Sequence, residues 1–145
     1  MSEQIYVGAD HAGYQLKQTL VEELKRLGYE PVDVGPKTLD PADDYPDYAK
    51  PVADAVSRGV VQRGVLTCGT GLGMSFVANR YPHVRAAVVW NVEIAELARK
   101  HNDANILVLP SHCMSEQEGL DILHTWLDTE FAGGRHQRRV EKIEE

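Results

Sequence analysis

Five short apolar runs alternate with stretches of helical periodicity along this chain. That alternation restricts the fold more than any other feature. Residues 4–8, with Ile5, Tyr6 and Val7, read as a first strand ending just before Asp10 and His11. Leu16, Leu20, Leu24 and Leu27 recur at helical spacing, and Gly28 is the expected stop. Residues 29–34 read as a second strand, closed by Gly35-Pro36. The polar segment 37–47 contains Pro41, Pro46 and four aspartates, so it reads as a loop. Ala49, Val52, Ala53 and Val56 mark a second helix, with Pro51 expected in its first turn and Gly59 past its end. Residues 64–67, centred on Val65 and Leu66, are the third strand, and residues 74–80 are compatible with a helix. Residues 84–90 are the fourth strand, in which Ala86, Ala87, Val88 and Val89 predict burial on both faces. A helix over 92–100 is broken by His101-Asn102-Asp103, and residues 106–109 form the fifth strand, stopped by Pro110. Ser115 and Glu118 have capping-box spacing and open a helix carrying Leu120, Leu123 and Leu127 on one face. Strand and helix in strict alternation predict an α/β fold with a five-stranded parallel sheet and helices on both faces.

Ligands of such sheets sit at the C-terminal strand ends. Three polar clusters fall there: Asp10-His11, the stretch from Cys68 to Gly73, and His112. The second is the richest, with Gly69, Gly71 and Gly73 at alternate positions behind one cysteine. Strand, glycine turn and helix start form a cradle whose backbone N–H groups favour an anion. Several readings of this loop compete. A dinucleotide site needs a G-x-G-x-x-G fingerprint in the first unit, and this loop is G-x-G-x-G in the third. A P-loop needs a lysine, which Gly73-Met74-Ser75 lacks. A cysteine phosphatase needs an arginine to clamp the phosphate, and Met74 stands there. A tight turn around a buried, inert thiol is the bland alternative. The remaining reading makes Cys68 a general base. The cradle is expected to lower the thiol from its ordinary value of about 8.5, and the loop N–H groups to hold an enediolate oxyanion. That is the chemistry of aldose–ketose isomerisation, which needs no metal and no redox cofactor.

The 145 residues suit one domain, 1–145, without linker or internal repeat. A net charge of −7 argues against nucleic-acid or anionic-membrane binding, so an anionic ligand must be held by a local site. No apolar run is long enough to span a bilayer. The first residues lack the basic and apolar regions of a signal peptide, so a reducing, cytoplasmic setting is expected. Cys68 and Cys113 form no CxxC pair, and His112 beside Cys113 cannot alone make a tetrahedral metal site.

Five stretches together resemble one family. They are Gly8-Ala9-Asp10-His11-Ala12-Gly13, Asp44-Tyr45-Pro46, Cys68-Gly69-Thr70-Gly71-Leu72-Gly73, His101-Asn102-Asp103-Ala104-Asn105 and Gly133-Gly134-Arg135-His136-Gln137-Arg138-Arg139-Val140. In order and over essentially the whole chain, they resemble the type B ribose-5-phosphate isomerases, a group related to galactose-6-phosphate and allose-6-phosphate isomerases. The resemblance implies a Rossmann-like three-layer fold and a homodimer, sometimes paired into tetramers, with active sites shared across the interface and the tail 131–145 packed on the partner subunit. It implies Cys68 as the base, Thr70 and His101 in opening the furanose ring, and the backbone of Gly69, Thr70, Gly71, Leu72 and Gly73 around the enediolate. Asp10 and His11 are implied at sugar hydroxyls and phosphate, with Asn102 nearby, and Arg135 and Arg139 at the phosphate. No cofactor is implied.

Single residues carry plainer readings too. Arg135 and Arg139 share a helical face, and a charged run of this kind is commonly just a solvated tail. A histidine ending a helix, as His101 does, is often only a favourable charge at the dipole. Asp10 has the position of an N-cap. His112 departs from the resemblance, which commonly places arginine there; histidine is shorter, and its charge depends on pH.

Overall fold

The structure, a computed structural model, describes residues 2–144. Five parallel strands form one sheet: β1 (Gln4–Ala9), β2 (Glu30–Asp33), β3 (Arg63–Cys68), β4 (Ala86–Val88) and β5 (Ile106–Pro110). Their order across the sheet is β2-β1-β3-β5-β4. The helices are α1 (Tyr14–Arg26), α2 (Pro46–Ser57), α3 (Leu72–Ala78), α4 (Val92–Lys100), α5 (Glu116–Asp128) and α6 (Arg135–Glu141). The chain thus has the α/β, helix–sheet–helix layering expected from its alternation.

Two cores lie on the two faces of the sheet. Leu20, Leu24, Ile122, Leu123 and Trp126 pack with Val7 and Leu107 under α1, α4 and α5. Val52, Ala53, Val56, Met74 and Ala78 pack with Leu66 and Val108 under α2 and α3. The central strands β1, β3 and β5 are apolar on both faces because helices cover both.

β4 departs from expectation. Its pairing covers only Ala86–Val88, all three residues are half-buried, and Trp90 is exposed. It is the sheet edge, so only β5 lies beside it. The apolar run gives a strand, but its place in the order decides the burial. β2 is the other edge, and Pro31 is accommodated there because an edge strand has donors to spare. The loop expected over 37–47 ends two residues early. Pro46 opens α2, where a missing N–H costs nothing, so Pro51 falls inside the helix and not in its first turn.

Local signals elsewhere act as their chemistry predicts. Gly28 takes φ +95°, and Gly28 and Tyr29 donate to the carbonyls of Lys25 and Leu24, closing α1 as a Schellman motif. Ser115 and Glu118 form the reciprocal capping box of α5. Lys17 is fully buried on α1 and donates to both carboxylate oxygens of Asp33 (2.9 Å each) and to the Pro36 carbonyl (2.6 Å). That cation pins the start of the β2–α2 loop, which passes over the C-terminal end of β1. No helix among the described residues is long and apolar enough to cross a membrane.

Candidate active site

The C-terminal ends of β1, β3 and β5 meet through backbone contacts. Asp10 N–H donates to the Thr67 carbonyl at 3.4 Å, and His112 N–H to the Gly69 carbonyl at 2.9 Å. Ser111 Oγ donates to the carbonyl of Ala12 (2.8 Å) and lies 3.2 Å from that of Cys68, tying all three loops. Gly13 permits the closest approach: a Cβ there would lie 2.3 Å from the Thr67 carbonyl oxygen. Asp10 is buried and its carboxylate accepts from Gly13 N–H at 3.1 Å, so its capping role is real and coexists with its place beside the thiol.

Cys68 ends β3 with 5% of its surface exposed. Gly71 turns the chain with φ +77°, a conformation that suits glycine, and α3 begins at Leu72. The N–H groups of Met74, Gly71 and Thr70 are directed at the sulfur. They favour thiolate, but burial opposes them more strongly, and the nearby Asp10 carboxylate adds to the opposition. The net effect within one chain raises the thiol above its ordinary value, not below it as expected from the loop sequence. Desolvation wins because the same close packing that aims the amides also excludes water.

Aromatic rings wall the loop. A Cβ on Gly69 would lie 2.6 Å from the His112 ring, and one on Gly73 would lie 2.6 Å from the Tyr45 ring. Thr70 is exposed and its Oγ1 accepts from Leu72 N–H at 3.3 Å. His11 lies in the turn after β1, where Asp43 Oδ1 accepts from both its backbone N–H (3.0 Å) and its ring Nδ1 (2.7 Å). That hydrogen bond raises His11 above the ordinary histidine value against a smaller opposing effect of burial.

The other expected site residues lie elsewhere in the chain. α4 descends from the end of β4 to the start of β5, so His101, its C-cap, and Asn102 sit at the N-terminal end of the sheet. Register makes this quantitative. Gly64 pairs with Ile106 and Cys68 with Pro110, so Asn105 lies five residues below the thiol, about 16 Å along the strand. The tail lies with them. Ala132 N–H donates to the Lys100 carbonyl, and the His136 ring stacks on His101 with centroids 4.3 Å apart. Arg135 and Arg139 are exposed on α6 and make no ion pair among the described residues. One chain therefore brings together Asp10, His11, Cys68, Gly69, Thr70, Gly71, Leu72, Gly73 and His112, and separately His101, Asn102, Arg135 and Arg139.

Comparison with known proteins gives this divided arrangement a context. Residues 5–143 match the family model described as Ribose/Galactose Isomerase. The chain belongs to this family. Ribose-5-phosphate isomerase B of Escherichia coli is 42% identical over 139 residues, covering 96% of this chain and 93% of that one. Ribose-5-phosphate isomerase B from Mycoplasma genitalium, solved with bound ribulose-5-phosphate, superposes with TM-score 0.95 at 43% identity, covering 99% of this chain and 95% of that one. The Clostridium thermocellum ribose-5-phosphate isomerase B structure is 48% identical with TM-score 0.93, covering 97% of this chain and 94% of that one.

Within this member of the family, four contributors were not singled out from sequence: Asp43, Tyr45, Ser111 and His136. Asp43 is one of four aspartates in a polar loop, and nothing local distinguishes the one that meets His11. Tyr45 and His136 did fall within the family-like stretches, but only three-dimensional packing reveals their ring contacts. No group of three or more His, Cys, Asp or Glu side chains among the described residues is placed to hold a metal ion.

Proposed function

We propose that this chain is an aldose–ketose isomerase that interconverts ribose 5-phosphate and ribulose 5-phosphate, with Cys68 as the general base. The observation that carries this reading is the sulfur itself: a buried side chain at the C-terminal end of β3 to which three backbone N–H groups are directed. As thiolate, Cys68 takes the proton from C2 of the open-chain aldose. The electrons form the enediolate, whose oxygens the loop N–H groups stabilise, and the sulfur returns the proton to C1. The product is the ketose, and the thiolate is regenerated. The hydroxyl proton passes from O2 to O1 as the two oxygens exchange their roles as hydroxyl and carbonyl, so no electron leaves the substrate and no redox cofactor is required.

A second copy of the chain completes the site in this reading. The ring-opening His101, with Asn102 and the phosphate-binding Arg135 and Arg139, comes from the N-terminal end of the partner's sheet to meet Cys68, Thr70, Asp10, His11 and His112. Exposed apolar side chains beside the loop support such a contact: Leu72 and Phe76 on one face of α3, and Trp90 and Val92 after β4. The net charge of −7 makes three exposed arginines within five residues an unusual local cation, suited to a phosphate dianion.

The test is complementation. Cys68→Ala and Arg139→Ala chains are each assayed in a coupled isomerase assay over ribose, allose and galactose phosphates, then unfolded together, refolded and assayed again. Half the dimers are mixed and each mixed dimer has one intact site, so about a quarter of wild-type activity returns. No recovery would sink the shared site. Turnover of a hexose phosphate, but not ribose 5-phosphate, would favour the allose- or galactose-phosphate alternative. Tight sugar-phosphate binding without turnover would leave a non-catalytic binding module.

A further inference from the structure

His11 and Asp43 make a two-bond contact at the C-terminal end of the sheet, and the proton transfer just described does not use it. Asp43 arrives from the β2–α2 loop, 32 residues along the chain. Its side chain is 5% exposed, whereas that of His11 is 40% exposed. A single oxygen, Oδ1, accepts from both the backbone and the ring of His11. The backbone bond fixes the start of the turn and the ring bond fixes the rotation of the imidazole. Asp43 Oδ2 is buried and has no partner among the described residues, so no other donor shares this carboxylate. A buried carboxylate carrying one unsatisfied oxygen is costly to keep merely to hold a turn.

We propose that Asp43 is a positioning residue for substrate binding: it clamps the His11 ring with Nδ1 as donor, so that Nε2 is the nitrogen offered to the phosphate of the sugar phosphate. The identity of the ligand rests on the isomerase reading; the clamp does not. With Nδ1–H committed to Asp43, Nε2 has no partner among the described residues. A carboxylate behind the ring stabilises the doubly protonated form, and that form presents an N–H donor with positive charge to an anion. The charges facing the ring are acidic: Asp43 and Asp40 from the β2–α2 loop, and Asp10 from the end of β1. Tyr48 of α2 also faces Asp43; burial first, and then the Asp43 charge, keeps its phenol protonated. Alone, this acidic surround would repel a phosphate. A protonated His11 in front of it reverses the sign at the point of contact.

The deciding variant is Asp43→Asn, which keeps an oxygen acceptor of the same shape and removes the charge. Ring NMR signals of His11, assigned with His11→Gln, are titrated in the wild type and in Asp43→Asn, with and without inorganic phosphate. His11 is expected to titrate above the ordinary histidine value in the wild type and to move toward acid in the variant. Phosphate is expected to bind about tenfold more weakly to the variant at neutral pH, since an ionised donor roughly doubles the strength of such a bond. The KM for the sugar phosphate should rise by a similar factor while kcat changes less. In a His11→Gln background the same substitution should add little further loss, because the two residues act as one unit. An unchanged His11 titration, an unchanged phosphate affinity, or a full KM effect of Asp43→Asn in the His11→Gln background each overturns the proposal. The NMR arms need no turnover. Expected NMR results without isomerisation support the clamp and dismiss the isomerase; turnover with flat NMR arms does the reverse.

Discussion

At the N-terminal end of the sheet, Arg63, Arg85 and Arg99 crowd around Glu3 and Asp103; at the C-terminal end, Asp10 and Thr70 lie beside Cys68, His112 lies against Gly69, and His11 stands in the turn after β1. Both clusters are polar, but they differ in what their charged groups meet; Trp126 Nε1, buried among the arginines, is the one donor there without a partner among the described residues. Arg63 gives both forks to Glu3 (2.9 and 2.7 Å) and a third donor to the Leu127 carbonyl. Arg99 reaches the carbonyls of Thr129 and Ala104 and the carboxylate of Asp103. Arg85 reaches the carbonyls of Asp103 and His83. Trp126 lies between Arg63 and Arg99, their guanidinium carbons 5.6 and 6.0 Å from its ring centroid. Each cation there is matched by groups of its own chain, and together they lash the starts of β1, β3 and β5 to the end of α5. The C-terminal end is unfinished by the same measure. His11 Nε2 lacks a protein partner among the described residues, Thr70 and His112 are exposed, and amides point at a thiol that burial keeps protonated. Polar groups matched within the chain hold a fold; polar groups left open, on a scaffold that holds them still, are available to a ligand.

The largest effect expected from that contrast is at Cys68. Cys68→Ala should lower kcat in the coupled isomerase assay by about 10²–10⁴-fold, the usual weight of a general base. Circular dichroism should be unchanged and stability lowered by no more than about 1 kcal/mol, since a small side chain is trimmed. The wild-type rate should climb with pH. A thiol raised by burial and by Asp10 is protonated at neutral pH, and each step toward alkali increases the thiolate fraction. Near-wild-type turnover of the alanine variant would remove Cys68 from the mechanism.

The opposite end should respond in the opposite way. Arg63→Met keeps the hydrophobic stem against Trp126 and Tyr29 but leaves Glu3 unpaired. The pair is only partly buried, with 17% and 33% of the two side chains exposed. Solvent screening therefore brings the cost down from that of a fully buried pair to about 1–3 kcal/mol, read by urea denaturation. The kcat/KM of the folded fraction should not change. A loss of turnover at full folding would mean that the Arg63 cluster itself takes part in function and that matched coordination is a poor guide.

The division between these ends was partly legible in the chain. Alternation is sufficient to place Asp10, Cys68 and His112 at one end, because a residue just after a parallel strand has nowhere else to be. By the same rule a residue between a helix and the next strand, such as His101, belongs at the other end. What composition hides is the order of the strands. Ala86 to Val89 is as apolar as a central strand, yet β4 stands at the edge, since β5 inserts between it and β3. Nor could the sequence weigh burial against the amides at Cys68, because both arise from the same close packing. Asp43 was equally hidden, since its partner is set by the path of a loop and not by any local pattern.

The smallest effect belongs to a polar cluster at neither end. Glu23 on α1 accepts from Arg26 one turn later (2.6 Å to each oxygen) and pairs with His124 of α5, joining two helices on the outer face. Arg26 first, then His124, lowers the Glu23 carboxyl from 4.5 to about 2. The sign follows from which state binds protons. A carboxyl depressed in the folded state stabilises it fully above the unfolded value, and that contribution is lost as pH falls from 4.5 through about 2. Glu23→Gln should therefore be less stable than wild type at pH 7, by a small margin because the network is solvated. The gap in urea midpoint should narrow below pH 5 and close near pH 2. Turnover should be untouched at every pH, as with Arg63→Met. A gap that stays constant down to pH 2 would assign the role of Glu23 to packing instead of charge.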